Sequence, residues 1–311
     1  MKQNTSEIFM IRPKHFNYNP ETAKNNHFQI EEKKLSNEEI LENTISEFEE
    51  LVKKIREKNI TIEIFEDKKD IITTDSIFPN NWISLHNDGK IYLYPMFSEI
   101  RRKEKRNDII ESYRASGYFI NETIDLSEYE KQNKFLEGTG SMVLDRENKI
   151  CYAALSERTD KEILNKFCKI SGYEPIKFKA YQTFNKKRKE IYHTNVMMCV
   201  ADKYAIICLD SIDNINERKY VIEKLNKSNK KIIEINEQQC NNFAGNMLQV
   251  KNKKNKKFLI MSESAYNSLT KDQLKLITSY NEIIYSSLDT IEKLGGGSAR
   301  CMITENFLRR K

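Results

Sequence analysis

The stretch Trp82-Ile83-Ser84-Leu85-His86-Asn87-Asp88-Gly89-Lys90-Ile91-Tyr92-Leu93-Tyr94 holds two short apolar runs around a polar reversal. It reads as a β-hairpin, because Asn, Asp and Gly accept the backbone conformations of a tight turn and the flanks are β-branched or aromatic. A helical stretch near 98–115 follows, then an extended segment near Tyr118-Phe119-Ile120. The same order recurs from Ser141 to Phe178, from Asn195 to Ile235 and from Met247 to Tyr285. A fifth unit forms only if the chain ends join: Cys301 to Glu305 beside Glu7 to Arg12, then a helix near 37–57, then Ile60 to Phe65. That helix has a capping box in Ser36 and Glu39. Leu41, Ile45, Phe48, Val52 and Ile55 give it an apolar stripe, widened by Ile40 and Leu51. First strands begin near 82, 141, 195, 246 and 301, a period at which arrays and blades are to be suspected. The pattern predicts one α/β domain over 1–311, a five-bladed α/β propeller of ββαβ units closed by pairing of the N- and C-terminal strands. A mixed α/β domain with two sheets is the alternative.

Composition narrows the function. Lys+Arg 52 against Asp+Glu 46 leaves a mild excess of +6. The basic runs at 186–189 and 251–257 are short and carry no interleaved aromatics, so they read as solvated loops and no nucleic-acid partner is expected. No stretch approaches the ~18 apolar residues of a membrane span, and no signal-peptide core opens the chain. The six cysteines form no C-x-x-C and no His/Cys pair has metal-ligand spacing, so the reading is a reduced cytoplasmic protein with no metal and no cofactor.

The repeat also places polar residues. Asn80-Asn81, Glu137-Gly138-Thr139-Gly140, His193-Thr194-Asn195, Asn246 and Cys301 each lie just before or at a first strand. In equivalent units these positions converge. A thiol, an imidazole, a carboxylate and several amides would then face one pocket, the set that nucleophilic catalysis needs. Gly295-Gly296-Gly297 lets backbone approach a ligand before Cys301, and Arg300 is a cation that favours the thiolate. Of four histidines, His86 lies at the far end of its strand and His15 and His27 in a long polar loop, which leaves His193 as the partner.

Six segments in order resemble the pentein, or guanidino-group-modifying, superfamily, and within it the citrulline-hydrolase branch related to arginine deiminases and amidinotransferases. They are Met10-Ile11-Arg12-Pro13 with Asn25-Asn26-His27-Phe28-Gln29, Thr74-Asp75-Ser76-Ile77-Phe78-Pro79-Asn80-Asn81-Trp82, Leu136-Glu137-Gly138-Thr139-Gly140-Ser141, Leu155-Ser156-Glu157-Arg158-Thr159-Asp160, His193-Thr194-Asn195, and Gly295 through Cys301. The resemblance covers nearly the whole chain and implies a five-bladed propeller. It implies Cys301 as nucleophile, His193 as general acid/base and Glu137 as the carboxylate beside it. It further implies Arg158 as a bidentate grip on the substrate α-carboxylate and Asp75 as an acid near the α-amino group.

Departures from that pattern bear on the substrate. Asn80-Asn81 stands where guanidine-binding relatives carry Glu-Asp or Arg-Asp, Asn195 where arginine deiminases have an acid, and Gly140 where a second acid is usual. Neutral amides suit a ureido group, which offers a carbonyl acceptor and N–H donors. The expectation is therefore a hydrolase acting on the ureido carbon of citrulline through a covalent cysteine intermediate, giving ornithine, ammonia and carbon dioxide. Asn80, Asn81 or Asn195 would donate to the developing oxyanion. Alternatives are an arginine deiminase, a dimethylarginine hydrolase or an amidinotransferase acting on a guanidino substrate, and a non-catalytic binding protein of the same fold. The partner expected is a small ureido or guanidino amino acid, with a homodimer as the candidate assembly. The loop from Pro13 to Gln29 is a candidate lid.

Overall fold

The computed structural model describes residues 2–311. The hairpin of the opening stretch forms, with Ile83–Leu85 antiparallel to Lys90–Leu93. Gly89, at φ +81°, makes its turn possible. A strand parallel to the second arm completes a three-stranded mixed sheet, but it is Glu122–Asp125 and not residues 118–120. Tyr118 instead bridges to Arg310. The expected helix between them is broken into Glu99–Arg102 and Asn107–Ala115.

Four more sheets repeat this plan. Val143–Asp145, Ile150–Ala154 and Glu174–Phe178 make one; Met198–Val200, Tyr204–Ile207 and Lys231–Glu234 another. Leu248–Lys251, Lys257–Ser262 and Glu282–Ser286 make the next. The last joins the chain ends: Thr304–Glu305 lies antiparallel to Glu7–Arg12, which runs parallel to Thr61–Glu66. A further two-stranded ribbon, Tyr181–Phe184 with Lys187–Glu190, was not foreseen, since its charged sequence reads as loop. It places the basic run of 186–189 on an exposed hairpin.

The closed propeller expected from the repeat is corrected by this strand pairing. The fold is α/β with several small two- and three-stranded mixed sheets and separate helices, and no sheet is closed or curled into a propeller. Hydrogen-bond ladders stop at the edge of each small sheet. What joins the sheets is side-chain packing, in apolar clusters such as the one that combines Ile8, Phe48, Val52, Ile260 and Met302 from distant parts of the chain.

Helix Asn37–Glu57 shows how sequence sets this packing. Its capping box is present, Ser36 accepting from Glu39 N and Glu39 from Ser36 N, a cap worth ~1 kcal/mol. The buried face is Ile40, Thr44, Phe48, Leu51, Val52 and Ile55, while Leu41 and Ile45 are only half-buried. The face is rotated toward Thr44, whose hydroxyl is satisfied by Ile40 O at 2.8 Å and so can be buried.

Candidate active site

Short helical turns precede the first strands, and they carry the polar residues inward. Pro79–Asn81 precedes Ile83, Gly138–Ser141 follows Glu137, and Thr194–Met197 follows His193. The turns pack closely. Gly138 has φ +46°, and a Cβ there would lie 2.3 Å from Asn80 O. At Gly140 a Cβ would lie 2.5 Å from Asn81 Nδ2 and 2.7 Å from His193 Nδ1. The missing second acid thus has a steric reason: no side chain fits where Gly140 faces the histidine.

The turns and the C-terminal segment enclose a cavity of about 20 Å³ lined by Asp75, Asn81, Arg101, Arg158, His193 and Cys301, together with Tyr192, Phe78 and loop residues. His193 Nε2 lies 2.7 Å from Glu137 Oε2, with both side chains buried. Burial lowers the pKa of His193 to about 4, against the opposing pull of Glu137. For Glu137 burial works toward protonation, but Arg158, His193 and Arg101 outweigh it and hold the carboxyl below its ordinary range. The pair is therefore a neutral imidazole donating Nε2–H to a carboxylate, a tautomer assigned from that hydrogen bond. It leaves Nδ1 with its lone pair, the state of a base.

Two side-chain amides converge on the thiol. Asn195 Nδ2 lies 3.4 Å and Asn246 Nδ2 3.3 Å from Cys301 Sγ. Asn246 is fixed in this orientation because its Oδ1 accepts from Arg300 N at 3.1 Å. Sulfur is a weak acceptor as a thiol and a strong one as a thiolate, so the pair of donors suits negative charge on Sγ. Arg300 acts on the sulfur through its charge and not through a hydrogen bond. Its guanidinium donates to Ile303 O at 2.8 Å and to Glu305 at 3.2 Å.

The predicted substrate residues divide. Asp75 lies in the wall, its Oδ2 accepting from Asn19 at 2.7 Å while Oδ1 has no partner. Burial raises its pKa, with Arg101 opposing. Arg158 is stacked near Tyr192 and Phe97, and its donors go to Thr22 O, Asn25 Oδ1 and Glu137. Of the three amides expected to meet a ureido group, Asn195 keeps an Oδ1 without a partner, and the other two are occupied. Asn80 donates to Thr139 Oγ1 at 3.3 Å and accepts from Asn81, whose own oxygen accepts from Arg101 at 2.7 Å. Asn80 does not line the cavity.

Sequence reasoning passed over Arg101 and Tyr192 as site residues and placed Asn246 among the converging amides without giving it a role. Arg101 is forked onto Glu104 at 2.9–3.2 Å and also reaches Phe78 O, tying down the segment that carries Asn80 and Asn81. Burial opposes its charge, but Glu104 and Asp75 overcome this and raise its pKa. The Arg-x-x-Glu spacing on a helix was the available signal, but it sits in a charged run that reads as solvent-facing.

The loop of 13–29 covers the cavity. Asn19 holds Asp75, Thr22 and Asn25 hold Arg158, and Asn26 and Gln29 donate to the carbonyls of Gly296 and Leu294 in the segment leading to Cys301. His27 stacks on Phe184 of the two-stranded ribbon, ring centroids 5.5 Å apart. A water needs ~10–15 Å³ of such space, so a cavity of about 20 Å³ admits an amino acid only when this loop moves.

Comparison with known proteins agrees with this geometry. A family model described as N,N dimethylarginine dimethylhydrolase, eukaryotic, matches residues 12–308. This match does not reach the finer citrulline-hydrolase branch. No curated protein matches the sequence. Among solved structures, the N-terminal domain of ArgZ, an arginine dihydrolase from the ornithine-ammonia cycle in cyanobacteria, bound to substrate, superposes with TM-score 0.70 at 17% identity over 97% of this chain and 99% of that one. Full-length ArgZ gives TM-score 0.70 at 18% identity over 96% of this chain and 40% of its own, so the chain spans about two fifths of that protein. A dimethylarginine hydrolase (DDAH) from Pseudomonas aeruginosa complexed with citrulline gives 0.65 at 12% identity, over 97% and 99%. These likenesses show a shared fold.

Proposed function

The chain belongs to the N,N dimethylarginine dimethylhydrolase family, within the pentein hydrolases, and from that membership and the site we propose that it hydrolyses a C–N bond at the guanidino carbon of arginine or an N-methylated arginine. As a hydrolase of this superfamily it acts on C–N bonds of the amidine and amide type. The observation that carries the narrower reading is the family match over residues 12–308, and the site agrees with it. At the site Glu137 is ionised between Arg158 and a neutral His193, while burial raises the pKa of Asp75 and takes that of Glu104 to about 8. A buried carboxylate held ionised beside a neutral imidazole suits the cationic guanidino group of arginine and its methylated forms better than the neutral ureido group of citrulline.

In this reading Cys301 gives its thiol proton to His193 Nδ1 as Sγ attacks the guanidino carbon, and Nδ1 then passes that proton to the departing nitrogen. Ammonia or a methylamine leaves, and the carbon stays bonded to sulfur. A water deprotonated by His193 then adds to that carbon, and the C–S bond breaks to return the thiol and release citrulline. Glu137 holds the imidazole in its tautomer and stabilises the imidazolium. Asp75 Oδ1, an acceptor without a partner, suits the substrate's α-ammonium. Arg158 takes the α-carboxylate in exchange for Thr22 and Asn25.

A second reading keeps one observation in its favour. Asn195 and Asn246, rather than carboxylates, face Cys301. They suit hydrolysis of the ureido group of citrulline to ornithine, ammonia and carbon dioxide. Incubation with arginine, its methylated forms and citrulline, read by mass spectrometry beside Cys301→Ala, separates the two. Citrulline formed from a guanidine supports the first reading. No turnover of any guanidine, with ornithine formed from citrulline, replaces it by the second.

A further inference from the structure

Behind Cys301, on the other side of Asn195, lies a second cavity of about 30 Å³. Its polar lining is Gln3, Thr139, Arg146, Asn195, Arg300 and Glu305, and the rest is apolar. Arg146 and Arg300 are both buried, and both donate through Nη2 to the same oxygen, Glu305 Oε2, at 3.2 Å. No other carboxylate lines this cavity. Arg146 Nη1 has no acceptor. Gln3 is turned the other way, its amide nitrogen bound to the carbonyls of Leu144 and Val200 and its oxygen to Arg146 N.

Two buried cations on one anion leave a net positive charge in a low-dielectric space, which costs several kcal/mol unless a counter-charge joins them. One carboxylate does not satisfy both. Burial disfavours the charge of each arginine; at Arg146 Glu305 overcomes this, while the pKa of Arg300 stays lowered, with Arg146 adding to the deficit. The space exceeds the ~10–15 Å³ that one water needs, enough for an ion of chloride size and too little for an amino acid.

We propose that this cavity is a binding site for a small monovalent anion, held between Arg146 and Arg300 behind the nucleophile. Chloride is the natural test ligand and bromide its visible substitute. In crystals soaked in bromide, an anomalous peak is expected between the two guanidiniums. In solution, chloride should raise the melting temperature saturably, compared with gluconate, too large for the cavity, at equal ionic strength. Glu305→Gln removes the competing carboxylate with little change of shape, and should raise chloride affinity about tenfold or more. Arg146→Met should abolish both the peak and the chloride response. The proposal is overturned if wild type and Glu305→Gln show no bromide peak in the cavity, or if their chloride responses are flat or unchanged in Arg146→Met.

Discussion

Two cavities flank the segment of Cys301 and differ in how their arginines are neutralised. At the front one, beneath the 13–29 loop, Arg101 and Arg158 each have a carboxylate of their own, Glu104 and Glu137. The rear one sets two guanidiniums against one carboxylate. Asn195 links them, reaching Sγ at 3.4 Å and lining the rear space. The chain carries +6 overall, yet its charge is sorted locally by folding. Guanidinium and carboxylate are paired one to one in front of the thiol and two to one behind it. Composition therefore says little about the ligand, and the arrangement of buried charge says much.

The largest expected effect tests whether the two sides are separate. Cys301→Ala should lower kcat by at least about 10⁴-fold, since loss of a nucleophile removes the covalent route. It should leave the fold and the rear cavity's response to chloride intact. Loss of both would show one coupled site. Next comes Glu137→Gln, which replaces the carboxylate that orients His193. A fall in kcat of about 10²–10⁴-fold is expected, the range for general acid–base catalysis. An effect confined to KM would show that Glu137 only binds substrate.

A third test uses pH. His193 has a folded pKa of about 4 against an ordinary 6.5, so it is neutral when buried and resists protonation. Its contribution to stability is complete above pH 6.5 and is lost as pH falls toward 4, at most about 3 kcal/mol. Glu137, held below its ordinary range, adds a second loss below about 4.5. His86 is buried and shifted in the same direction, so wild type alone cannot isolate the effect. Urea titrations of wild type and His193→Asn between pH 4.5 and 6.5 should show a shallower slope in the variant. Equal slopes would mean that His193 is charged in the folded protein.

Much of the front side was legible in the chain. Each three-stranded unit follows from apolar runs around a turn, and Cys301, His193 and Glu137 stand at equivalent places before first strands. The failures have physical causes. Periodicity reports strands but not what lies between sheets, so closure into a propeller did not follow from it. Asn80 and Asn81 were read as free amides, but their partners Thr139 and Arg101 come from other parts of the chain. Arg101 was hidden in a charged run because nothing local shows that Phe78 and Asp75 will cover it. The rear cavity rests on Arg146 and Glu305, which alone read as surface charges, and on Arg300, which reads as a partner of the thiolate.

The smallest effect concerns the atom both sides share. Asn246 touches Cys301 Sγ at 3.3 Å and is oriented by Arg300 N, yet it lines neither cavity. Its amide also donates to Asn195 O at 3.0 Å, so it supports the sulfur both directly and through Asn195, and Asn246→Ala should lower kcat and leave KM nearly unchanged. A hydrogen bond to a charged group contributes ~1.5–3 kcal/mol, which corresponds to a rate loss of about 10- to 100-fold. The same variant should slow alkylation of Cys301 by iodoacetamide by a comparable factor, a readout that loss of packing alone would not move in that direction. Asn246→Asp sharpens the point, because a carboxylate beside Sγ opposes negative charge on sulfur where the amide favours it. If Asn246→Asp alkylates as fast as wild type, the amides do not stabilise the thiolate, and the nucleophile owes its reactivity to the front cavity alone.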